Sequence, residues 1–244
     1  MDWIKLSTRK IQQVYQCFSF NLCYLCRAKS RTPLCSYCRP HFELNQQHCH
    51  TCKLPLDISI ARCGQCQRQP PAYHLCVAPL LYQGMTAALI KRIKFQQQTH
   101  FIRILNAFLL EELRKSYQND HWPQAVIPVP SHPERIRERG FCHTRTIAKL
   151  LKNDLPDQVQ LLPQLLHKQK HTFAQHKVER SFRLKSQRDA FQLSSRPPKH
   201  IALLDDVMTT GSTIDACVKT LLAGGAERVD VWALARTPLP SHLA

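Results

Sequence analysis

The stretch IALLDDVMTTGST, residues 201–213, gives the first indication of the fold of this 244-residue chain. Its apolar start is typical of a buried strand. Two adjacent aspartates, Asp205 and Asp206, come next, followed by small hydroxyl residues around Gly211. Loop amides, hydroxyls and the N-terminus of a following helix form a cradle that suits an anion such as phosphate. We therefore predict a strand, a loop and a helix, with a ligand site where the strand ends.

The rest of the chain beyond residue 72 alternates strand and helix patterns. Extended or buried runs predict strands at residues 73–82, 124–130, 159–162, 200–205 and 228–235, and helical spacing predicts helices at 85–95, 100–117, 140–151 and 212–223. This alternation predicts an α/β fold with a mainly parallel sheet and helices on both faces. Ligands of such sheets bind beyond the carboxyl ends of the strands. Ser212 and Asp215 also fit a capping box at the start of the last helix.

The net charge of +17 attracts phosphates, nucleic acids or anionic membrane surfaces. Residues 58–110 contain no acidic residue, and aromatic residues are interleaved with basic ones. Neutralisation of the backbone together with aromatic stacking is typical of proteins that bind single-stranded nucleic acid, while the alternative is a basic surface that only aids solubility. The residues concerned are Arg62, Arg68, Lys91, Arg92, Lys94 and Arg103, with Tyr73, Phe95 and Phe101.

No run of about 18 apolar residues exists, and the N-terminal residues lack the apolar core of a secretion signal. We therefore expect a cytoplasmic protein without a transmembrane segment. In a reduced cytoplasm, clustered cysteines bind metal more often than they form disulfides. Eight of the twelve cysteines form C-x-x-C pairs, namely Cys23 with Cys26, Cys35 with Cys38, Cys49 with Cys52, and Cys63 with Cys66.

Four such pairs can complete two tetrahedral four-thiolate sites, so the sequence predicts two structural zinc ions. Sequential pairing joins the first pair with the second and the third with the fourth, whereas a cross-braced arrangement joins the first with the third. Both are open, and we favour the sequential one. The predicted domains are an N-terminal helix at residues 1–21, a double zinc-ribbon module at 22–71 and the main domain at 72–244.

The two aspartates would repel a nearby phosphate unless a polar, uncharged group lay between them. A ribose is such a group, because its hydroxyls can donate hydrogen bonds to Asp205 and Asp206 while its phosphate lies in the loop. The order of these residues resembles the signature of the type I phosphoribosyltransferases, which bind 5-phosphoribosyl 1-diphosphate (PRPP). The resemblance implies Mg²⁺ with PRPP and a binding loop formed by Thr209, Thr210, Gly211, Ser212 and Thr213.

Two further segments resemble parts of that fold. AVIPVPSHPERIRERGF, residues 125–141, looks like its pyrophosphate loop, which implies roles for Pro130, Ser131, Arg135 and Arg139 near the diphosphate. Residues 167–191 lie where the family carries a flexible loop over PRPP, which implies roles for Lys168, Arg180 and Arg183. Cations of this kind stabilise charge on the leaving pyrophosphate, although a solvated basic turn is the alternative. No histidine stands out as a general base, so the catalytic residues stay unassigned.

The complete layout resembles the ComF family, whose members are zinc-ribbon, phosphoribosyltransferase-like proteins tied to natural transformation. The matching features are the cysteine ribbons, KRIKF, PVP, RGF, AF and LLDDVMTTGST. Cys142, His143 and Ser186 depart from the usual family residues. The resemblance implies a competence protein that acts on or with single-stranded DNA, together with other DNA-uptake proteins. The alternative is a phosphoribosyltransferase with a small-molecule acceptor and no DNA role.

Overall fold

The computed structural model describes residues 22–131, 133–168 and 191–238. The described chain divides between Pro40 and His41 into two compact units. The predicted N-terminal helix at residues 1–21 and most of the basic segment, residues 169–190, lie outside the described residues. The predicted domain limits at 71 and 72 stay a prediction.

The second unit alternates helices and strands along the chain. Its helices are α1 Gly64–Arg68, α2 Gly84–Gln96, α3 Ile102–Ser116, α4 Pro133–Arg139, α5 His143–Lys152 and α6 Ser212–Ala223. Its strands are β1 Leu75–Val77, β2 Leu80–Leu81, β3 Ala125–Pro128, β4 Gln160–Leu161, β5 Leu166–Lys168, β6 Phe191–Leu193, β7 His200–Met208 and β8 Arg228–Arg236. Short 3-10 turns occupy Arg39–His41 and Thr99–Phe101.

The main sheet is parallel throughout and has the order β1-β8-β7-β3-β4, with β2 also paired to β8. Strands β7 and β8 are its centre, and both are apolar along most of their length because helices cover both faces of a parallel sheet. The α/β fold with a mainly parallel sheet is thus confirmed. All its strands point the same way, so the residues that follow β3 and β7 meet at one edge.

Two layers of side chains hold this sheet. Helix α6 buries Ile214, Cys217, Val218 and Leu221, at the three- and four-residue spacing of one helix face. These side chains share a hydrophobic cluster with alternate residues of the central strands and with the four cysteines between Cys49 and Cys66. Helices α3 and α5 pack on the sheet and on each other, and α3 buries seven of its fifteen residues. The sheet therefore positions its carboxyl edge between two well-packed layers.

Several local predictions were wrong in detail. Strand β7 does not stop at the aspartates but pairs with β8 through Met208. The predicted capping box is absent from α6, since Gly211 is its N-cap and no side chain caps it. The antiparallel pair of β5 and β6 and helix α4 were not predicted, because strands of three residues and a seven-residue helix are too short to show a period. None of the helices within the described ranges is long and apolar enough to cross a membrane.

Candidate functional site

A cleft of about 600 Å³ opens at the carboxyl edge of the sheet. Its walls come from the ends of β3 and β7 and from helices α2, α4, α5 and α6. The predicted site residues among its lining are Pro130, Ser131, Lys168, Asp205, Asp206 and Thr213. This volume lies within the range of pockets that hold small molecules and cofactors. The fold therefore brings together residues from three predicted segments, 125–141, 167–191 and 201–213.

Asp206 is a buried carboxylate with two basic neighbours. Lys94 of α2 forms an ion pair with it, and Nε2 of His143 lies 3.4 Å from its Oδ2. Burial acts to raise the pKa of Asp206, but the hydrogen bond from His143 and the charge of Lys94 outweigh it and hold that pKa below the usual range. Asp206 is therefore an ionised carboxylate whose charge is balanced within the protein.

Asp205 has a different environment, because consecutive strand residues point to opposite faces. It lies toward α6, where its charge adds to burial in raising the pKa of the Cys217 thiol. Burial, followed by the charge of Asp206, raises the pKa of Asp205 well above its usual value. Oδ1 of Asp205 accepts a hydrogen bond of 2.9 Å from the Asp206 amide. A cation or a set of hydroxyl donors in the cleft would relieve this carboxylate.

The predicted phosphate loop, residues 209–213, joins β7 to α6. Gly211 has φ of +84°, and a Cβ there would lie 3.1 Å from the Met208 side chain, so the turn favours glycine. Thr209, Thr210, Ser212 and Thr213 are exposed. The first intrahelical bond runs from the Asp215 amide to the Gly211 carbonyl, so the amides of Thr213 and Ile214 have no acceptor within the helix. The Ser212 amide donates a hydrogen bond of 3.4 Å to the Thr210 hydroxyl. The geometry is that of an anion-binding helix start.

The predicted pyrophosphate loop follows β3 and is held in position by α5. Pro130 and Ser131 line the cleft, and Thr144 donates a hydrogen bond of 2.8 Å to the Val129 carbonyl. Arg135 and Arg139 lie on α4, and their side chains are not among those described. Lys168, at the end of β5, also lines the cleft. Arg180 and Arg183 lie outside the described residues.

Sequence reasoning missed four residues that line the cleft. Lys94 was assigned to the basic stretch, yet its side chain is only 20% exposed and reaches Asp206. His143 was noted as a departure from the family pattern and, like other histidines near the site loops, was given no role. Glu134 and Glu138 were also given no role beside the arginines of their segment. A tertiary contact between residues 94 and 206 leaves no mark in local sequence. The helical spacing of Glu134 and Glu138, four residues apart, was the one available signal.

The eight paired cysteines form two clusters, Cys23, Cys26, Cys35 and Cys38 in the first unit and Cys49, Cys52, Cys63 and Cys66 in the second. Sequential pairing is thus confirmed. The ligand atoms within each cluster lie within 4.8 Å of one another. Sulfur atoms of successive pairs are 3.7 Å apart in both clusters, and a tetrahedron with Zn–S bonds of about 2.3 Å has an edge of about 3.8 Å. The clusters therefore fit zinc, with no open coordination position for chemistry.

The two clusters repeat the same local geometry. Arg27 and Lys53, each following the second cysteine, have positive φ values of 65° and 55°. The amide of the third cysteine approaches the sulfur of the first, at 3.5 Å for Cys23 and 3.2 Å for Cys49. Burial opposes the shift, but such backbone hydrogen bonds lower the pKa of Cys23 to about 6 and that of Cys49 to about 7. Burial together with the neighbouring sulfurs raises the pKa of Cys38, Cys52 and Cys66, so the first cysteine of each cluster most readily forms the thiolate that a metal requires.

The basic stretch at residues 58–110 is divided by the fold. Tyr73 and Phe101 are buried, so their assignment to a stacking surface was wrong, whereas Phe95 is 69% exposed. Lys91, Arg92 and Arg103 are exposed as well. Lys91 and Phe95 are four residues apart on α2, which places them on one helix face. We call Lys91, Arg92 and Phe95 the α2 basic surface, while Arg103 is exposed on α3.

Comparison with known proteins gives close relatives over nearly the whole chain. Competence protein F of Haemophilus influenzae is 31% identical over 230 residues, which cover 90% of this chain and 98% of that protein. The DNA utilization protein YhgH of Escherichia coli O157:H7 is 30% identical over 88% of this chain and 97% of its own length. Competence protein ComFC of Streptococcus pneumoniae is 29% identical over 83% and 87%.

No family model matches the chain. Among solved structures, a purine phosphoribosyltransferase from Pyrococcus horikoshii is similar at 18% identity and a TM-score of 0.35, over 57% of this chain and 75% of that one. The fold assignment depends instead on the strand order and on the loops after β3 and β7. The 31% identity to competence protein F, together with these loops and the thiolate clusters, shows that the chain belongs to the ComF family of phosphoribosyltransferase-like proteins.

Proposed function

We propose that the cleft binds PRPP with Mg²⁺ and that the protein acts in natural transformation, in the cytoplasm, on or with incoming single-stranded DNA. The observation that carries the proposal is the meeting of carboxylates, an anion-binding helix start and a diphosphate-type loop around one cleft of about 600 Å³. The names of the relatives, which concern competence and DNA utilization, support the biological setting. Eight paired thiols suit a reducing compartment.

In this proposal the ligand is bound from both ends. The 5′-phosphate lies against residues 209–213, where exposed hydroxyls and first-turn amides donate hydrogen bonds. The ribose hydroxyls donate to Asp205, and Asp206 keeps Lys94 in the wall of the cleft. The diphosphate extends toward Ser131 and Lys168. Among the described residues, the groups close enough to hold a metal ion unaided are the two thiolate clusters, so Mg²⁺ would arrive with the diphosphate.

The direct test is titration calorimetry with PRPP and Mg²⁺. We expect the wild type to bind, and Asp205→Ala combined with Asp206→Ala to bind about 100-fold more weakly. The ribose loses hydrogen bonds to the Asp205 carboxylate, each of which contributes about 1.5–3 kcal/mol, and Lys94 loses the partner that holds it in the wall of the cleft. Glu227→Ala is the matched control, because it removes an exposed carboxylate that pairs with Lys199. A wild type that binds no PRPP would rule out the ligand assignment.

The DNA part of the proposal depends on the α2 basic surface. Phe95→Ala should weaken binding of a labelled oligothymidylate about tenfold, because stacking of one base contributes about 1–3 kcal/mol. Ile58→Ala is the control, as it removes another exposed apolar side chain from the same acid-free stretch. Affinity should fall steeply with salt. Equal losses in the two variants would contradict the role of Phe95.

A small-molecule phosphoribosyltransferase is the second candidate. The observation in its favour is His143, which lines the cleft beside a buried carboxylate, an arrangement suited to proton transfer. PRPP binding combined with no affinity for single-stranded DNA at low salt would select this candidate over the first.

A further inference from the structure

The end of β8 links the second thiolate cluster to the phosphate loop. Arg236 closes that strand, is only 2% exposed, and lies opposite Met208 in the register of the sheet. Its Nε donates a hydrogen bond of 3.1 Å to the carbonyl of Cys52, a cysteine of the cluster. Its Nη1 donates to the Met208 carbonyl at 2.8 Å and to the Thr209 carbonyl. One planar guanidinium therefore bonds both to the cluster and to the first residue of the loop.

The charge of Arg236 needs a counter-charge, because burial of an unpaired cation is costly. Within the described part of the chain, its hydrogen-bond acceptors are the three main-chain carbonyls of Cys52, Met208 and Thr209. Four thiolates outweigh one divalent ion, so the zinc-loaded cluster carries net negative charge beside Arg236. By fixing the Cys49–Cys52 turn, zinc binding holds the Cys52 carbonyl that orients the guanidinium against the loop.

Packing provides a second connection between the two regions. A small cavity of about 70 Å³ has both regions in its walls, with Cys52 and Cys66 on one side and Thr210 and Gly211 on the other, beside Arg236. The sulfurs of the second cluster are buried in the same hydrophobic cluster as the face of α6, the helix whose N-terminus forms the loop. A change in the metal cluster therefore reaches the loop through both charge and packing.

We propose that Arg236 is a positioning residue that couples metal binding at Cys49, Cys52, Cys63 and Cys66 to the shape of the phosphate loop, residues 209–213. Zinc at this cluster then acts beyond local folding, since it sets the affinity of the loop for phosphate. The proposal concerns the second cluster alone. The predicted effect on phosphate affinity depends on the proposed PRPP site, whereas the effect on the shape of the loop does not.

Hydrogen exchange of the peptide covering the loop tests the coupling without any ligand. Cys63→Ser combined with Cys66→Ser should raise exchange at residues 209–213 about tenfold, in the range of typical coupling between sites. Cys35→Ser combined with Cys38→Ser removes the first cluster as the matched control and should leave the loop unchanged. Unchanged loop exchange in the folded second-cluster variant would overturn the proposal.

Arg236→Lys provides a variant that keeps the charge and all eight cysteines. A single ammonium cannot reproduce the fork that reaches both Cys52 and Thr209. We expect two zinc ions per chain and exchange that rises at residues 209–213 more than in the central strands β7 and β8. A variant with wild-type loop exchange would show that Arg236 does not position the loop.

Zinc affinity of the wild type tests the reciprocal effect, because equilibrium coupling between two sites acts in both directions. In competition with a chelating dye, PRPP with Mg²⁺ should raise the affinity for one of the two zinc ions about tenfold and leave the other unchanged. Equal affinities with and without PRPP, in a protein that binds PRPP, would contradict the coupling. Absence of PRPP binding would instead overturn the proposed function, while the exchange experiments would still decide the role of Arg236.

Discussion

Buried aspartates lie near both ends of the central strands, and their surroundings differ. At the amino end, Asp230 is fully buried and accepts hydrogen bonds from Tyr117 at 2.7 Å, from His200 at 2.7 Å and from two nitrogens of Arg228 at 3.1 Å. Trp232 in turn donates to the Tyr117 hydroxyl at 3.0 Å. We call these five residues the amino-end network. Both oxygens of the Asp230 carboxylate therefore accept hydrogen bonds.

At the carboxyl end, the two aspartates face a cleft of about 600 Å³. Asp206 has Lys94 and His143 as partners, while the pKa of Asp205 is raised by burial and by the neighbouring charge. A carboxylate whose oxygens both accept hydrogen bonds, such as Asp230, contributes to stability. A carboxylate whose ionised form is unfavourable, such as Asp205, is suited to a ligand that supplies the missing donors or cation. The comparison separates structural from binding carboxylates on adjacent strands, and four substitutions test it.

Asp230→Ala should have the largest effect. It removes the acceptor of the amino-end network and leaves Arg228 without one of its partners, so the free energy of unfolding should fall by about 3–5 kcal/mol. Urea denaturation measures this change. Glu227→Ala, which breaks the exposed pair with Lys199, should cost less than about 1 kcal/mol. PRPP affinity of the folded Asp230 variant should match the wild type, and a large loss would place this network in the binding site.

Asp206→Asn should lower the free energy of unfolding by about 1–3 kcal/mol, because Lys94 and His143 lose a charged partner. The folded-state pKa of Asp206 is lowered, so its contribution is fully present above the unfolded pKa of about 3.9. It is lost as the pH falls from there toward the lower folded value. Denaturation at several pH values should therefore show the gap between wild type and variant closing in acid. A gap that widens in acid would contradict this.

Gly211→Ala should destabilise the protein by about 1–2 kcal/mol, because φ of +84° is unfavourable for alanine and its Cβ would approach Met208. The same change distorts the loop that we assign to the phosphate. Gly64→Ala is the control, since a Cβ there meets nothing within 4 Å and its φ is ordinary. Thermal unfolding compares the two, and equal shifts would contradict the special conformation of Gly211.

Asp205→Asn should have the smallest effect on stability and the opposite sign, a gain of about 1 kcal/mol at neutral pH. The pKa of Asp205 is raised in the folded state, so its ionisation destabilises the protein as the pH rises above the unfolded value. The gain should therefore shrink as the pH falls. Urea denaturation at pH 7 and in mild acid checks the trend. A loss of stability at neutral pH would mean that Asp205 already has adequate partners.

Much of the fold could be predicted because it depends on local patterns. The buried stripe of α6 and the apolar runs of β3, β7 and β8 appear directly in the sequence, and the C-x-x-C spacing identified both clusters. The antiparallel pair of β5 and β6 could not be predicted, since each strand has three residues and its partner lies more than twenty residues away. Local pattern carries no information about such pairing.

The site was predictable in position but not in its internal contacts. The edge of the sheet, the loop and both aspartates followed from residues 201–213 and from the rule for ligands of parallel sheets. The different roles of Asp205 and Asp206 could not be predicted, because they depend on Lys94 and His143, which lie far away in sequence. The same is true of Tyr73 and Phe101, whose burial only the tertiary structure reveals.

The most direct test is a calorimetric titration of Asp205→Asn with PRPP and Mg²⁺, with urea unfolding of the same preparation. The account predicts that the variant is at least as stable as the wild type and binds PRPP at least about tenfold more weakly, the loss expected for one hydrogen bond to a charged group. Wild-type affinity in the variant would contradict the assignment of Asp205 to the ligand.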